Sequence, residues 1–205
     1  MNFRLIKGMF LPFLGIVLLT QCALQKTAKF DFETGTQGWL SQNWQDFRGS
    51  YGVEQTSENS ISGSYALVLD CNSNSKGEAY VDLRKEFKSP QNLDGKTIKC
   101  WVLIPSTQDN DILQQIGVQL FVKSVKNENT ANEQWFSEYS TINDLSGLTG
   151  SWYKITLKPG IETKKGYVEQ GFDPKNIAVI GIKIASEKGS PSDFKGKLFI
   201  DGIDW

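Results

Sequence analysis

Several stretches of the chain carry polar and aromatic side chains at every second position, alternating with apolar residues. Their aromatic, amide, carboxylate and cationic members are Tyr80, Asp82, Arg84, Gln119, Phe121 and Lys183. Successive side chains of a β-strand point to opposite faces. Each stretch would therefore present its own members of this set on the face opposite its apolar residues. Aromatic rings can stack on the apolar faces of pyranose rings, and the polar groups can bond to hydroxyls. The mixture predicts a saccharide-binding face.

The stretch 134–142 carries further candidates, but its alternation permits two orientations. Either Trp135 and Tyr139 face outward, or Phe136 and Glu138 do. We take Trp135 as a candidate sugar contact, either on the strand face or at the rim of the preceding loop. Weaker aromatic candidates from loops and edges are Trp44, Tyr51 and Tyr167.

The composition argues against catalysis. The chain has no histidine, which removes the usual Ser-His and Cys-His nucleophile pairs. Two carboxylates could still hydrolyse a glycosidic bond, and Asp82 and Glu138 are the candidates on the presumed binding face. Neither belongs to a recognisable motif, and phosphate-binding glycine loops are absent from the sequence. We therefore expect a non-catalytic protein.

These residues lie in short segments with period-two alternation, separated by Gly, Asn, Ser, Asp and Pro, and helical periodicity is nearly absent. Such a pattern predicts antiparallel strands with one solvated face. The candidate strands are 28–33, 51–56, 65–71, 78–87, 96–104, 116–124, 134–142, 152–158, 177–185 and 197–203. About ten strands with no long helix indicate an all-β, two-sheet antiparallel sandwich of the jelly-roll type.

The N-terminus predicts export. Arg4 and Lys7 precede an apolar run that is too short for a stable membrane span, so residues 1–21 are interpreted as a signal peptide. The position of Cys22 after this run resembles a bacterial lipoprotein signal, although Gln21 is an unusual neighbour. The resemblance implies lipidation at Cys22, a tether over 22–27 and a domain over 28–205 in the cell envelope. The alternative is ordinary cleavage near Ala23.

Charge excludes some partners. Removing Arg4 and Lys7 from the 22 basic residues leaves 20 against 23 acidic residues. The mature chain thus offers no basic footprint for nucleic acid and no polybasic stripe for anionic lipid. We expect membrane attachment through the lipid at Cys22 alone, and a monomer.

Six segments together resemble one family. They are 30–39 (FDFETGTQGW), 62–67 (SGSYAL), 93–105 (LDGKTIKCWVLIP), 150–157 (GSWYKITL), 180–184 (IGIKI) and 196–205 (GKLFIDGIDW). Their order and spacing are similar to those of the jelly-roll carbohydrate-binding modules found beside mannan- and glucan-degrading glycoside hydrolases. The resemblance implies binding of a β-mannan or β-glucan type of polysaccharide, and it implies that 78–87, 116–124, 134–142 and 177–185 share the concave sheet. A surface adhesin that binds protein with the same fold is the alternative function.

The resemblance also implies a structural calcium ion between the first and last strands. The matching positions are Glu33, with the backbone carbonyl of Asp31 beside it, and Asp201, with a backbone carbonyl from the 61–64 turn. Carboxylate and backbone oxygens are the ligands that calcium prefers. The alternative interpretation is that these are solvated carboxylates at strand ends.

The two cysteines of the domain, Cys71 and Cys100, lie on the apolar side of their strands. In an exported protein such a pair could form a disulfide. The resemblance, however, implies that the last strand lies between theirs. Two strand spacings amount to about 9.5 Å, beyond the Cα separation of about 7 Å that a disulfide can span. We expect free thiols.

Overall fold

The regular structure of the described residues consists entirely of β-strands. The computed structural model describes residues 28–44, 52–72, 80–106, 116–125, 135–145, 148–161, 166–186 and 195–205. The strands are β1 (Leu40–Trp44), β2 (Val53–Thr56), β3 (Ala66–Asn72), β4 (Tyr80–Gln91), β5 (Ile98–Leu103), β6 (Ile116–Val125), β7 (Trp135–Tyr139), β8 (Asn143–Asp144), β9 (Trp152–Leu157), β10 (Tyr167–Val168), β11 (Ile177–Ser186) and β12 (Lys195–Asp204).

The strands form two antiparallel sheets. The seven-stranded sheet has the order β1-β4-β11-β6-β7-β10, with β8 paired to β6, and the five-stranded sheet has the order β2-β3-β12-β5-β9. The predicted all-β two-sheet sandwich is confirmed, and the four strands expected to share one sheet do so. Three strands were not predicted, namely β1, β8 and β10.

One continuous apolar core lies between the two sheets. The core contains Ile180, Ile182 and Ile184 from β11 and Val118 and Leu120 from β6. All five are fully or almost fully buried. These residues follow the period of two that a strand imposes. The intervening residues of both strands therefore face away from the core, which fixes the second face of the larger sheet.

The predicted first strand over 28–33 is wrong. Only Phe30 pairs, in a single bridge whose two backbone hydrogen bonds to Ile203 measure 3.0 and 3.1 Å. Phe32 has a φ of 57°, and this left-handed conformation ends the extended chain. Packing holds the segment instead, because the Phe30 ring contacts those of Trp39 and Trp205 at centroid distances of 5.6 and 5.9 Å.

The cysteine prediction is confirmed for the residue whose side chain is described. Cys100 is a buried free thiol in β5. Strand β12 lies between β3, which carries Cys71, and β5, as expected. Burial raises the pKa of the Cys100 thiol well above its ordinary value, and the nearby carboxylate of Asp201 adds to that shift. The thiol is therefore protonated and unreactive.

The predicted signal peptide (1–21), the lipidation site Cys22 and the tether (22–27) lie outside the described residues. Within the ranges given above, no helix is long and apolar enough to cross a membrane.

Candidate functional site

The face of the seven-stranded sheet that points away from the core is called the outer face here. Residues that pair across neighbouring strands form rows on this face. In one row Lys183 pairs with Asp82 on one side and Gln119 on the other. The next row places Gly181 between Arg84 and Phe121. Six of the seven predicted sugar contacts belong to this face, namely Asp82, Arg84, Gln119, Phe121, Trp135 and Lys183. The backbone of the seventh, Tyr80, pairs with Ala185 at one end of the face, and its side chain lies outside the described part of the structure.

An aromatic row crosses three neighbouring strands of this face. Phe121 of β6 pairs with Tyr139 of β7, which pairs with Tyr167 of β10. The ring centroids are 5.6 Å apart between Phe121 and Tyr139 and 6.3 Å apart between the two tyrosines, both in tilted geometry. These distances lie in the range for attractive aromatic pairs. Exposure grows along the row, from a buried Phe121 through a half-buried Tyr139 to Tyr167, which is 57% exposed.

Phe121 is on the predicted face but is not the accessible sugar platform that the sequence suggested. Its side chain is 0% exposed. The ring lies directly over Gly181, where a Cβ atom would come within 2.1 Å of the Phe121 Cζ. Ala178 and Val179 complete the small apolar cluster around it. Phe121 therefore forms the floor of the aromatic row, and the two tyrosines form its accessible part.

The sequence left two orientations open for β7, and the structure has the one in which Trp135 and Tyr139 face outward. Trp135 and Tyr139 pack against the Phe121 cluster on the outer face. Glu138 pairs with the core residue Val122 and points the other way. Trp135 is half-buried, so it flanks the floor of the row and does not project freely.

Two cations lie against rings of the aromatic row, and a third, Arg84, belongs to the cross-strand row that contains Phe121. The Lys183 Nζ lies 5.4 Å from the centroid of the Tyr139 ring, and the Lys123 Nζ lies 5.5 Å from that of Phe121. Both distances allow cation–π attraction. Arg84 forms a 2.7 Å ion pair with Glu86, and its side chain keeps 24% exposure. The rings and charges that could meet a ligand are thus concentrated in one part of the face.

Two of the predicted polar contacts are largely covered. Asp82 is 3% exposed, so its predicted role as a direct ligand contact would require its neighbours to move. Gln119 is also buried, and its Nε2 donates a 2.9 Å hydrogen bond to the Ser140 carbonyl. That bond ties β6 to the end of β7 and holds Tyr139 in place. The accessible polar groups of this face therefore include those of Arg84, Glu86 and Lys183.

Glu138 is a buried carboxylate on the core side of β7. Its Oε2 accepts a 2.8 Å hydrogen bond from the Gly160 amide. Burial raises its pKa to about 7, and the Gly160 bond offsets only part of that rise. Glu138 and Asp82 lie on opposite faces of the sheet, so they cannot flank one sugar as a hydrolytic pair must.

The raised pKa of Glu138 makes stability depend on pH. The folded state holds the Glu138 proton more tightly than the unfolded state. The protonated carboxyl therefore contributes fully to the free energy of unfolding below pH 4.5, and this contribution is lost as the pH rises through about 7. Glu138→Gln keeps an acceptor for Gly160 and removes the charge. We expect it to raise the free energy of unfolding at pH 8 by about 1–2 kcal/mol and to have little effect at pH 4. Urea unfolding at both pH values measures this, and an equal effect at both would contradict it.

Two of the predicted calcium ligands, Glu33 and Asp201, meet at the 61–65 turn. The Glu33 Oε1 accepts bonds from the amides of Ser64 and Tyr65 at 2.8 and 2.9 Å. The Asp201 Oδ2 accepts bonds from the amides of Ile61 and Ser62 at 3.0 and 3.2 Å. Two carboxylates thus clamp one turn.

The side chain of Asp31 serves another contact, because its Oδ1 accepts a 2.9 Å hydrogen bond from the Gln37 side chain. The role of the Asp31 backbone carbonyl as a calcium ligand stays a prediction. In the ranges that the structure describes, no three acidic, cysteine or histidine side chains converge as metal ligands do. A cation here would need backbone oxygens in addition to Glu33 and Asp201.

The opposite surface of the molecule, the outer side of the five-stranded sheet, is called the back face. Trp101 lies there, half-buried against Gly202, where a Cβ atom would be 3.1 Å from the Trp101 Cδ1. The Lys154 Nζ lies 5.6 Å from the centroid of this ring. Trp152, in the neighbouring strand, is also half-buried. The packing of Trp101 favours a role as cover for the back of the sandwich.

Comparison with known proteins bears on the fold. No family model and no curated protein matches the sequence. A solved structure from a study of the promiscuous specificity of carbohydrate-binding modules of the β-sandwich superfamily is 20% identical, with a TM-score of 0.55. The match covers 87% of this chain and 61% of that one, so this chain spans less than two thirds of its length.

A second similar structure is a family 11 carbohydrate-binding module from Clostridium thermocellum, in complex with a β-1,3-1,4-mixed-linked tetrasaccharide. It is 12% identical, with a TM-score of 0.52, and the match covers 86% of this chain and 92% of the module. The chain therefore has the β-sandwich fold of carbohydrate-binding modules, which confirms the fold that the sequence resemblance predicted.

Proposed function

We propose that this protein binds a polysaccharide through the outer face of its seven-stranded sheet and does not cleave it. The observation that carries the proposal is the pair of accessible rings, Tyr139 and Tyr167, set side by side at 6.3 Å with Lys183 beside them. Sugar rings stack on such aromatic surfaces, and neighbouring donors fix their orientation through the hydroxyls. The fold shared with carbohydrate-binding modules adds support.

The proposed ligand is a polysaccharide of the β-mannan or β-glucan type. The sequence segments resemble modules that accompany enzymes acting on these polymers. The family 11 module of similar fold was solved with a β-1,3-1,4-mixed-linked tetrasaccharide. At 12% identity this ligand belongs to that module, and it serves here to choose the probes.

Lack of catalysis is proposed from the chemistry of the chain. It contains no histidine, and the carboxylates of Asp82 and Glu138 are separated by the sheet. A hydrolase would need two carboxylates on one side of the sugar, about 5–9.5 Å apart.

The test is affinity electrophoresis of the full chain in gels containing β-1,4-mannan, glucomannan, mixed-linked β-glucan or hydroxyethylcellulose. We expect at least one polymer to retard the protein. Tyr167→Ala should migrate faster than the wild type in that gel, and Tyr153→Ala, which removes an exposed tyrosine from β9, should not. Free migration in every gel would contradict the proposal and favour the protein-binding alternative.

We also propose that the 61–65 turn binds calcium. The support is electrostatic: burial raises the pKa of Asp201, and the charge of Glu33 adds to the rise. A cation near both carboxylates would offset that repulsion. We expect millimolar calcium to raise the unfolding temperature of the chelator-treated protein, since binding to the folded state alone stabilises it by about 2.7 kcal/mol at a hundredfold excess over Kd.

Thermal unfolding with and without calcium measures this effect. Glu33→Gln should unfold at the same temperature in both conditions, while Asp94→Asn, an exposed acidic control, should respond as the wild type does. Identical unfolding of the wild type with calcium and with chelator would contradict the calcium proposal.

The proposed location is the cell envelope, through a lipid on Cys22. The support is the basic and apolar N-terminal sequence that precedes this cysteine. Radiolabelled palmitate should enter the wild type and not Cys22→Ala, and the variant should leave the membrane fraction. Membrane-bound, unlabelled wild type would contradict lipidation.

A further inference from the structure

Strand β10, which carries the exposed ring of Tyr167, needs support from outside its own length. It consists of two residues and forms one edge of the seven-stranded sheet. These two residues pair with Tyr139 and Glu138 of β7. Tyr167 is 57% exposed, so burial of its ring supplies only part of the support. The position of the ring therefore depends on contacts made by residues beside β10.

Glu169 makes such a contact, directly after β10. Its backbone amide donates a 2.9 Å hydrogen bond to the Ser137 carbonyl, which extends the pairing with β7 by one residue. Residues that face each other in this way in an antiparallel pair normally exchange two backbone bonds. Here the Ser137 amide donates instead to the Glu169 side chain, at 2.9 Å from its Oε2. The carboxylate thus replaces a backbone acceptor.

The backbone carbonyl of Glu169 serves another bond, because the chain turns away from the sheet at this point. It accepts a 3.1 Å hydrogen bond from the Phe172 amide. Within this turn Gly171 has a φ of 97° and lies against Phe136, whose Cζ would be 2.7 Å from an added Cβ. A carboxylate that accepts from a backbone amide forms a charge-assisted bond, about twice as strong as a neutral one. The Glu169 side chain therefore ends the pairing without leaving the Ser137 amide unbonded.

This bond lies close to the two rings of the proposed site. Glu169 follows Tyr167 by two residues, so both side chains belong to the outer face. The bond to β7 thereby fixes the backbone that holds Tyr167 at 6.3 Å from Tyr139. A second carboxylate bond joins this segment to β7, from the Gly160 amide to Glu138, but it lies seven residues before Tyr167. The contact of Glu169 is thus the better placed of the two to hold the ring.

We propose that Glu169 is a positioning residue of the saccharide site: its carboxylate anchors β10 on β7 and keeps Tyr167 beside Tyr139, so that the two rings receive successive sugars. This inference rests on the proposed function and adds the residue that assembles its site. Glu169 acts through Tyr167 and does so without touching the ligand.

The first test is the affinity of the full chain for the polymer that retards the wild type, measured by isothermal titration. Glu169→Ala should weaken binding about three- to tenfold, because apparent affinity falls with the fraction of molecules in the competent state. Glu169→Gln keeps an acceptor for Ser137 and should bind within about twofold of the wild type. Glu54→Ala is the matched control, since it makes the same change at an exposed glutamate of β2, an edge strand of the other sheet.

A double-mutant cycle separates positioning from direct contact with the sugar. In a Tyr167→Ala background, Glu169→Ala should weaken binding by less than about twofold, since the ring that Glu169 positions is already gone. Equal losses in both backgrounds would show that Glu169 acts independently of Tyr167 and would overturn the inference. Wild-type affinity of Glu169→Ala would overturn it too, as would a Glu169→Gln variant as weak as Glu169→Ala.

Hydrogen exchange of the free chain, followed by NMR, tests the anchoring without a ligand. Glu169→Ala should speed exchange of the amides at positions 137 and 169 at least about tenfold, because local opening governs their exchange. The amide of Leu120, bonded to the Ser140 Oγ at 3.0 Å, should exchange as in the wild type. Unchanged exchange at positions 137 and 169 would overturn the inference and leave polysaccharide binding in place. Failure of every polymer to bind the wild type would overturn the proposed function and the saccharide role of Glu169, while the exchange rates would still decide the anchoring.

Discussion

Replacing both Tyr139 and Tyr167 by alanine is expected to weaken polysaccharide binding about a hundredfold. Each ring offers one apolar surface for a sugar, worth about 1.4 kcal/mol or a factor of ten in Kd when stacking and buried area are combined. The two rings belong to different strands and would contact successive sugars, so their effects should nearly add. Isothermal titration with the polymer that retards the wild type measures the loss.

The controls separate loss of stacking from loss of structure. Tyr139→Phe and Tyr167→Phe keep the rings and should bind within a few-fold of the wild type. Tyr153→Ala should bind normally, because this tyrosine lies in β9 of the other sheet. Wild-type affinity in the double alanine variant would show that the sugar does not rest on this aromatic row.

Gly181→Ala is expected to lower the free energy of unfolding by about 1–3 kcal/mol, the cost of overpacking a well-filled site. The backbone of Gly181 is not in a left-handed conformation, so the cost is steric. The added Cβ would come within 2.1 Å of the Phe121 Cζ. Phe121 has no free space to enter, because Tyr139, Ala178 and Val179 surround its ring. Urea unfolding, followed by tryptophan fluorescence, measures the change.

A double-mutant cycle identifies the cause. Phe121→Leu should be destabilising alone, yet it should recover part of the loss when combined with Gly181→Ala, giving a coupling energy above about 0.5 kcal/mol. Gly52→Ala is the control, since the nearest atom to its added Cβ is a Glu54 oxygen at 3.8 Å. Strict additivity of Gly181→Ala and Phe121→Leu would contradict the packing described here.

Alternation along the strands predicted which side chains share the outer face. In β6 the core residues Val118, Leu120 and Val122 leave only one face for Gln119 and Phe121. The same rule worked for Lys183 in β11. It could not decide β7, because both of its faces carry an aromatic side chain. Contacts with the Phe121 cluster, which sequence spacing does not contain, settle that orientation.

Burial on the outer face could not be predicted from the sequence. Phe121 is covered because Gly181, 60 positions away, leaves space on the adjacent strand for its ring. Tyr167 was only a weak candidate, since β10 has two residues and gives no alternation to detect. Its position depends on pairing with Tyr139. The strand expected over 28–33 is absent because Phe32 adopts a left-handed conformation, which non-glycine residues seldom do.

The most direct test of the central claim is NMR mapping of the surface that a saccharide contacts. Backbone amide shifts would be followed while the full chain is titrated with hexasaccharides of β-1,4-mannan and of mixed-linked β-glucan. We expect the perturbed amides to cluster at Gln119, Tyr139 and Tyr167 on the outer face. Perturbations confined to Trp101 and Trp152 on the back face, or none with either hexasaccharide, would contradict the claim.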